Sequence, residues 1–487
     1  MSDNDRTAGA VPNEAAIFLK VSLRLLPFLF LLYVINLIDR TNIGIARLQM
    51  VKQAVPDGAV LPDLENDPAV LSATAYSFGA SIFYLGYLLF EVPSNLILLK
   101  MGARAWIARI LLSWGLVSAA MMFVQGPWSF AFLRFLLGVA EAGFFPGIIF
   151  YLSDWFPARV RARAVANFMI GGVIATMIGN PVSGLILQSM DQVGGLWGWQ
   201  WVFLLEGIPA VILGFITLAY LTDHPSHARW LTPDERTWLV TQIENDRRLL
   251  PANRTHSFAA AMFDPRVWLL IAVYFTVAMG DNSFGFYIPT FLRSQFPEAT
   301  PFEIGLLIAG ASVIAMIGML LVGRSSDRTG ERRWHVAGSA FTASLGWVII
   351  SLAATKSVSI PGLADRWLFM VGVAVTLTGM KSMLPTFWTL PPMFLTGAGA
   401  ASGIALINSV ANLGGWLAPN IIGLVETATG QFNIAYQILA GVLFAGGLLV
   451  LFAKTHRNPE PSPASNLSPD EPGRNEAVMR SHQNDVQ

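Results

Sequence analysis

The sequence predicts an all-α membrane protein with twelve transmembrane helices in two halves of six, and three observations carry that prediction. Of the 487 residues 54% are hydrophobic and 13% charged, about half the charged share of a soluble domain, and mean hydropathy is +0.54. Apolar stretches of bilayer-crossing length, roughly 20 residues, recur at 24–46, 71–98, 105–125, 127–152, 164–188 and 200–222, then at 266–292, 302–323, 334–354, 365–390, 400–424 and 433–453. A polar stretch at 223–265 separates the first six from the second six.

The resulting order is an N-terminal segment 1–23, a first bundle 24–222, a middle loop 223–265, a second bundle 266–454 and a tail 455–487. The polar opening Met1–Asp5 lacks a cationic n-region before an apolar core, so no removable signal peptide is expected. The tail is rich in Pro, Ser, Asn and charge, which predicts disorder. Lysine and arginine concentrate on one side of the spans, with Arg47, Lys52, Arg293, Lys356 and Arg366 on the other. By the positive-inside rule this places both termini and the middle loop in the cytoplasm, in a multi-pass protein of the inner (plasma) membrane.

Composition also excludes chemistry. With no cysteine there is no disulfide, thiolate nucleophile or thiolate-held metal. The six histidines, His224, His227, His256, His335, His456 and His482, all fall in loops or the tail, which leaves no intramembrane imidazole for acid–base work. No phosphate-cradling P-loop is present, and zero net charge gives no footprint for nucleic acid. An enzyme is therefore not expected.

Charges inside apolar spans are costly, and function is their default explanation. Asp39 and Arg40 lie in the first span, Arg134 and Glu141 in the fourth, Asp281 in the seventh and Lys381 in the tenth. Residues seven apart return to nearly the same helix face about 10 Å along the axis, so Arg134 and Glu141 share a side. Asp39 and Arg40 diverge by roughly 100° and need not pair with each other. Arginine suits a carboxylate, since it donates two parallel hydrogen bonds and keeps its charge.

The halves carry an internal repeat. Gly323-Arg324-Ser325-Ser326-Asp327-Arg328-Thr329-Gly330-Glu331-Arg332 follows span eight, and Asn95 to Arg104 follows span two, with Lys100, Gly102 and Arg104 matching Arg328, Gly330 and Arg332. The second copy resembles the G-x-x-x-D-R-x-G-x-R element of the major facilitator superfamily, read as a short conformational-gating loop with glycines at tight turns. The first copy departs, with Asn95 for Gly and Leu99 for Asp. Leu37 to Gly44, Glu91 to Asn95, Arg134 to Gly143, Tyr151 to Pro157, Gly198 to Trp201 with Glu206-Gly207, and Asn408 to Gly415 resemble that superfamily's anion:cation symporter family. This resemblance covers essentially 20–455.

It implies two pseudo-symmetric six-helix bundles around a central cavity, binding near the midplane, and symport of an organic carboxylate such as a sugar acid, tartrate or aromatic acid. Spans one, four, seven and ten would line that cavity. On the family pattern Arg40 binds substrate, while Asp39 and Glu141 couple protons, the only cofactor expected. Tyr87, Arg134, Asn282, Trp388 and Asn412 fill out the substrate site, with Tyr287 as a further polar neighbour. Lys381 either pairs with Asp281 or meets substrate directly. Gly171-Gly172 replaces a polar amide found in relatives, and Glu91 and Glu206 read as structural. The expected partners are a small organic anion and the bilayer, with the monomer as the working unit. The competing readings are a proton-coupled antiporter or efflux protein of the same fold and, more remotely, a membrane-embedded enzyme.

Overall fold

The computed structural model describes residues 13–51, 71–248, 262–358, 361–362, 364–393 and 397–453. The tail and the middle-loop residues 249–261 lie outside them, and with them the expectation of a disordered tail. The helices are α1 Glu14–Met50, α2 Ala73–Met101, α3 Ala103–Ala120, α4 Pro127–Glu141, α5 Phe144–Trp155, α6 Ala158–Met169, α7 Gly171–Ser189, α8 Gly198–Tyr220 and α9 Pro233–Arg248. The second half holds α10 Pro265–Gln295, α11 Pro301–Thr329, α12 Arg333–Ala354, α13 Asp365–Phe387, α14 Gly397–Ala411, α15 Leu413–Thr429 and α16 Asn433–Leu451.

Among the described residues ten helical stretches are long and apolar enough to cross a membrane, with α4–α5 counted as one. The fifth and eleventh spans are each interrupted, as α6–α7 and α14–α15. Span four also breaks just after Glu141, where Gly143 takes φ +88°, a left-handed conformation that glycine adopts without steric penalty. A side chain there would also strike Ser94, whose Oγ lies 2.3 Å from the Cβ position.

Two boundaries differ from the sequence reading. Asn13 caps α1, its Oδ1 accepting from the Ala16 N–H at 3.3 Å, so the helix begins at Glu14, well before residue 24. The middle loop contains α9. Glu235 at its start accepts from Lys20 Nζ at 2.8 Å and from the Thr232 N–H at 2.8 Å, and the lysine above all holds its carboxyl below the usual range.

Packing repeats between the halves. α3 lies on α8 as α12 lies on α16, α2 on α4 as α11 on α13, α1 on α7 as α10 on α15, and α1 on α8 as α10 on α16. The halves meet where α7 packs on α11, α2 on α15 and α1 on α10. At the last of these a Cβ on Gly44 would stand 2.3 Å from the Gly285 carbonyl oxygen, so the small residue is what lets the two backbones touch, as is common between membrane helices.

The repeated loop corrects one expectation. Gly330 caps α11 at φ +67° and Gly102 caps α2 at φ +87°, which makes both turns as anticipated. Gly323, however, sits inside α11 and turns nothing. Arg332 holds Asp327 at 2.7 Å, and Arg328 is exposed. In the first copy, where Leu99 replaces the aspartate, Arg104 finds Asp223 of the middle loop instead. Its backbone N–H donates to Oδ1 at 2.8 Å, and its Nε stands 3.7 Å from Oδ2.

Candidate functional site

A cavity of about 110 Å³ lies between the halves. In the N-terminal half its walls come from the middle of α1 (Tyr33, Asn36, Arg40), from α2 (Tyr84, Tyr87), and from Glu141 and Phe145 on either side of the break in span four. The second half contributes Tyr274, Leu384, Trp388, Asn408 and Asn412. Tyr274 near the start of α10 and Leu384 and Trp388 at the end of α13 lie toward the face that carries the start of α1, given that successive spans alternate in direction, whereas Arg40 and Tyr84 lie nearer mid-span.

Arg40 donates to Glu141 across the cavity wall. Its guanidinium sits over the rings of Phe83 at 5.2 Å and Tyr87 at 5.4 Å, contacts favourable to a cation. Asp39 points the other way, accepting from Trp114 Nε1 and Ser118 Oγ on α3 and from Asn42 Nδ2 at 3.3 Å. The divergence required by helix geometry is thus realised, and Asp39 and Glu141 are not brought together.

Of the residues expected at the substrate site, the cavity gathers Arg40, Tyr87, Trp388 and Asn412. Arg134 is fully buried behind it, with Nη2 donating to the Ala80 carbonyl at 3.0 Å and its guanidinium 5.1 Å from the Phe83 ring. Asn282 accepts from the Tyr84 hydroxyl and donates to the Ala278 carbonyl at 2.8 Å, which places it one layer back. Lys381 is bound to Asp281 at 2.5 Å, and this pair lines a separate cavity with Thr41, Thr176 and Asn180. Tyr287 belongs elsewhere, 2.5 Å from Ser77 Oγ.

The sequence reading also missed residues. Arg47 is not at a loop but fully buried, donating to Glu426 at 2.6 and 2.7 Å and to Thr290 at 2.7 Å. Its guanidinium rests over Tyr287 at 4.7 Å and Tyr76 at 5.0 Å. This clamp joins α1, α10 and α15 on the face opposite the cavity. The seven-residue spacing from Arg40, two helical turns, was the available signal. Tyr33, Tyr84 and Tyr274 were also missed, because tyrosine in an apolar run carries no signal of which way it faces. Glu91 accepts from Asn408 at 3.2 Å and Ser409 at 2.7 Å, tying α2 to α14, and Glu206 accepts from Ser183 at 2.7 Å. Among the described residues no group of His, Asp and Glu could hold a metal.

Residues 29–419 match the model of the Major Facilitator Superfamily. The chain is 44% identical over 450 residues to a candidate tartrate transporter of Agrobacterium vitis, covering 92% of this chain and 93% of that one. It is 39% identical to a quinolone resistance transporter of Acinetobacter baumannii, covering 91% of this chain and 96% of that one. Among solved structures, the inward open conformation of the xylose transporter XylE from E. coli superimposes with a TM-score of 0.67 over 91% of this chain and 98% of that one, at 15% identity. A buried polar cavity between two six-span halves, with this similarity along nearly the whole length, has one reading: the chain is a multi-pass membrane transporter belonging to the Major Facilitator Superfamily, and not an enzyme.

Proposed function

We propose that the protein imports an organic carboxylate together with protons, exposing the Arg40 cavity to each face of the membrane in turn. The observation that carries this reading is the Arg40–Glu141 pair on the cavity wall, in which Arg40 is the more accessible partner, 23% exposed against 2%. Glu141 occupies the place a substrate carboxylate would take. When Glu141 takes up a proton its charge is gone, and the guanidinium is free to form paired hydrogen bonds to the incoming anion. On release of the anion, Glu141 gives up the proton and reclaims Arg40. One cation thus serves two anions alternately, which couples the fluxes. Asp39 is the second coupling acid in this proposal, set behind the cavity. Arg134 and Asn282 act one layer back, and the Asp281–Lys381 pair is an internal brace.

The lysine and arginine distribution supports cytoplasmic termini in the inner membrane. In that orientation the cavity faces inward and the Arg47–Glu426 clamp seals the outside. The proton is the only coupling cofactor this cycle requires, and a monomer suffices for it. The relative named for tartrate is consistent with a carboxylate substrate, while the relative named for quinolone resistance favours a second reading, proton-driven export.

Purified protein in proteoliposomes separates the two. Symport predicts that an outside-acid pH gradient drives labelled carboxylate inward above equilibrium, whereas export predicts accumulation only when the lumen is acid. Glu141→Gln, a neutral isostere, is expected to retain counterflow exchange and lose gradient-driven accumulation. Equal loss of both in a folded variant would refute the coupling role.

A further inference from the structure

We infer that the substrate is an aromatic monocarboxylate, a planar ring bearing one carboxylate, rather than a dicarboxylate or polyhydroxy acid. This rests on the carboxylate reading above and narrows it.

The first argument is charge. Among the described residues that line the cavity Arg40 is the only cation, and Glu141 is the group that must be neutralised to release it. Lys381 is committed to Asp281 in the neighbouring cavity, and Arg134 is sealed behind the wall on the Ala80 carbonyl. A second substrate carboxylate would therefore be buried without a countercharge, which is strongly unfavourable.

The second argument is shape and surface. Six rings face the space around Arg40: Tyr33, Tyr84, Tyr87, Phe145, Tyr274 and Trp388. They are held in place by their own neighbours. Tyr33 stacks on Phe168 at 4.4 Å, and Tyr274 stacks on Phe387 at 5.1 Å and meets Trp388 edge-on at 4.9 Å. The Tyr84 hydroxyl is already given to Asn282. Gly171 leaves Tyr33 its place, since a Cβ there would stand 3.0 Å from the Tyr33 ring. What remains for hydrogen bonding is the amides of Asn36, Asn408 and Asn412, the hydroxyls of Tyr33, Tyr87 and Tyr274 and the indole N–H of Trp388, with Asn408 shared with Glu91, and most of these groups sit on the edges of the rings themselves. Fixed rings around a single cation suit a flat apolar body, which gains from stacked and edge contacts.

The test is counterflow in proteoliposomes containing the full-length protein, with benzoate, 4-hydroxybenzoate, tartrate and galactonate each supplied as labelled substrate and as competitor. Benzoate or 4-hydroxybenzoate is expected to exchange with a half-saturating concentration at least about tenfold below that of tartrate. Trp388→Ala is expected to raise the benzoate value by about tenfold, the equivalent of one lost aromatic contact. Tartrate or galactonate exchanging as well as or better than the aromatic acids would overturn the inference while leaving carboxylate transport intact. If none of the four exchanges in protein that shows a cooperative thermal transition, the carboxylate reading falls and the inference with it.

Discussion

On an α-helix consecutive side chains diverge by about 100°, and at residues 39 and 40 this sends a carboxylate toward Trp114 and Ser118 and a guanidinium toward Glu141. The two positions can therefore be tested independently. Arg40→Lys keeps the charge but not the planar fork. It is expected to raise KM for the carboxylate by roughly tenfold to a hundredfold, the loss of one to two charge-assisted hydrogen bonds, in protein that unfolds at an unchanged temperature. Trp114→Phe should do the reverse. It leaves one Asp39 oxygen short of a donor, costing about 1–3 kcal/mol of stability, with KM held within about twofold because the indole lies away from the cavity. The charges at Arg40 and Glu141 were legible in the sequence because an ion in an apolar run demands a partner. Arg47 was not, because it falls just past the apolar run 24–46, and only the continuation of α1 to Met50 makes it intramembrane. Arg134 was legible as buried but not as hidden, since spacing along one helix does not say which neighbour covers it.

At the scale of the element, hydropathy located all twelve spans but could not see their interruptions, because the residues around Gly143, Ile170 and Asn412 are as apolar as a continuous helix would be. These breaks matter to the site. The turn after Glu141 separates it from Phe145, and the joint at Asn412 between α14 and α15 places an amide on the cavity wall. The α2–α3 connection shows a different limit. Its motif lost the aspartate, and the replacement came from Asp223, 124 positions after Leu99 in the chain and unrecognisable without the fold. Asp223→Ala is expected to lower stability by less than about 1 kcal/mol, since the ion pair is largely exposed, and to slow transport by loosening the joint. Leu99→Asp in that background recreates the arrangement of Asp327 and Arg332 and should restore the rate. Initial rates of counterflow for the single and double variants check this, and no recovery would show that the two carboxylates are not equivalent.

Across the whole molecule, the face opposite the cavity is closed by polar contacts between the halves. Arg47 on α1 reaches Glu426 on α15 and Thr290 on α10, Ser77 on α2 meets Tyr287 on α10, and Asn420 on α15 donates to Ser81 on α2 at 2.7 Å. Alternating access requires this layer to part, and the fully buried ion pair is its most costly component to separate. Removing one partner strands a buried charge, so Glu426→Gln is expected to destabilise the protein by about 3–5 kcal/mol. Replacing both, as Arg47→Met with Glu426→Leu, removes the lock without leaving an orphan, and such exchanges are often neutral or stabilising. The double variant should then fold and spend more time open on the clamped face. Because the chain contains no cysteine, a single Ser77→Cys reports on this directly: Ser77 is 1% exposed beneath the clamp. Membrane-impermeant maleimide applied from that face should label it slowly with the clamp intact and at least about tenfold faster in the double variant. Equal labelling rates would mean that the contacts around Tyr287 and Asn420, and not the Arg47–Glu426 pair, hold that face shut.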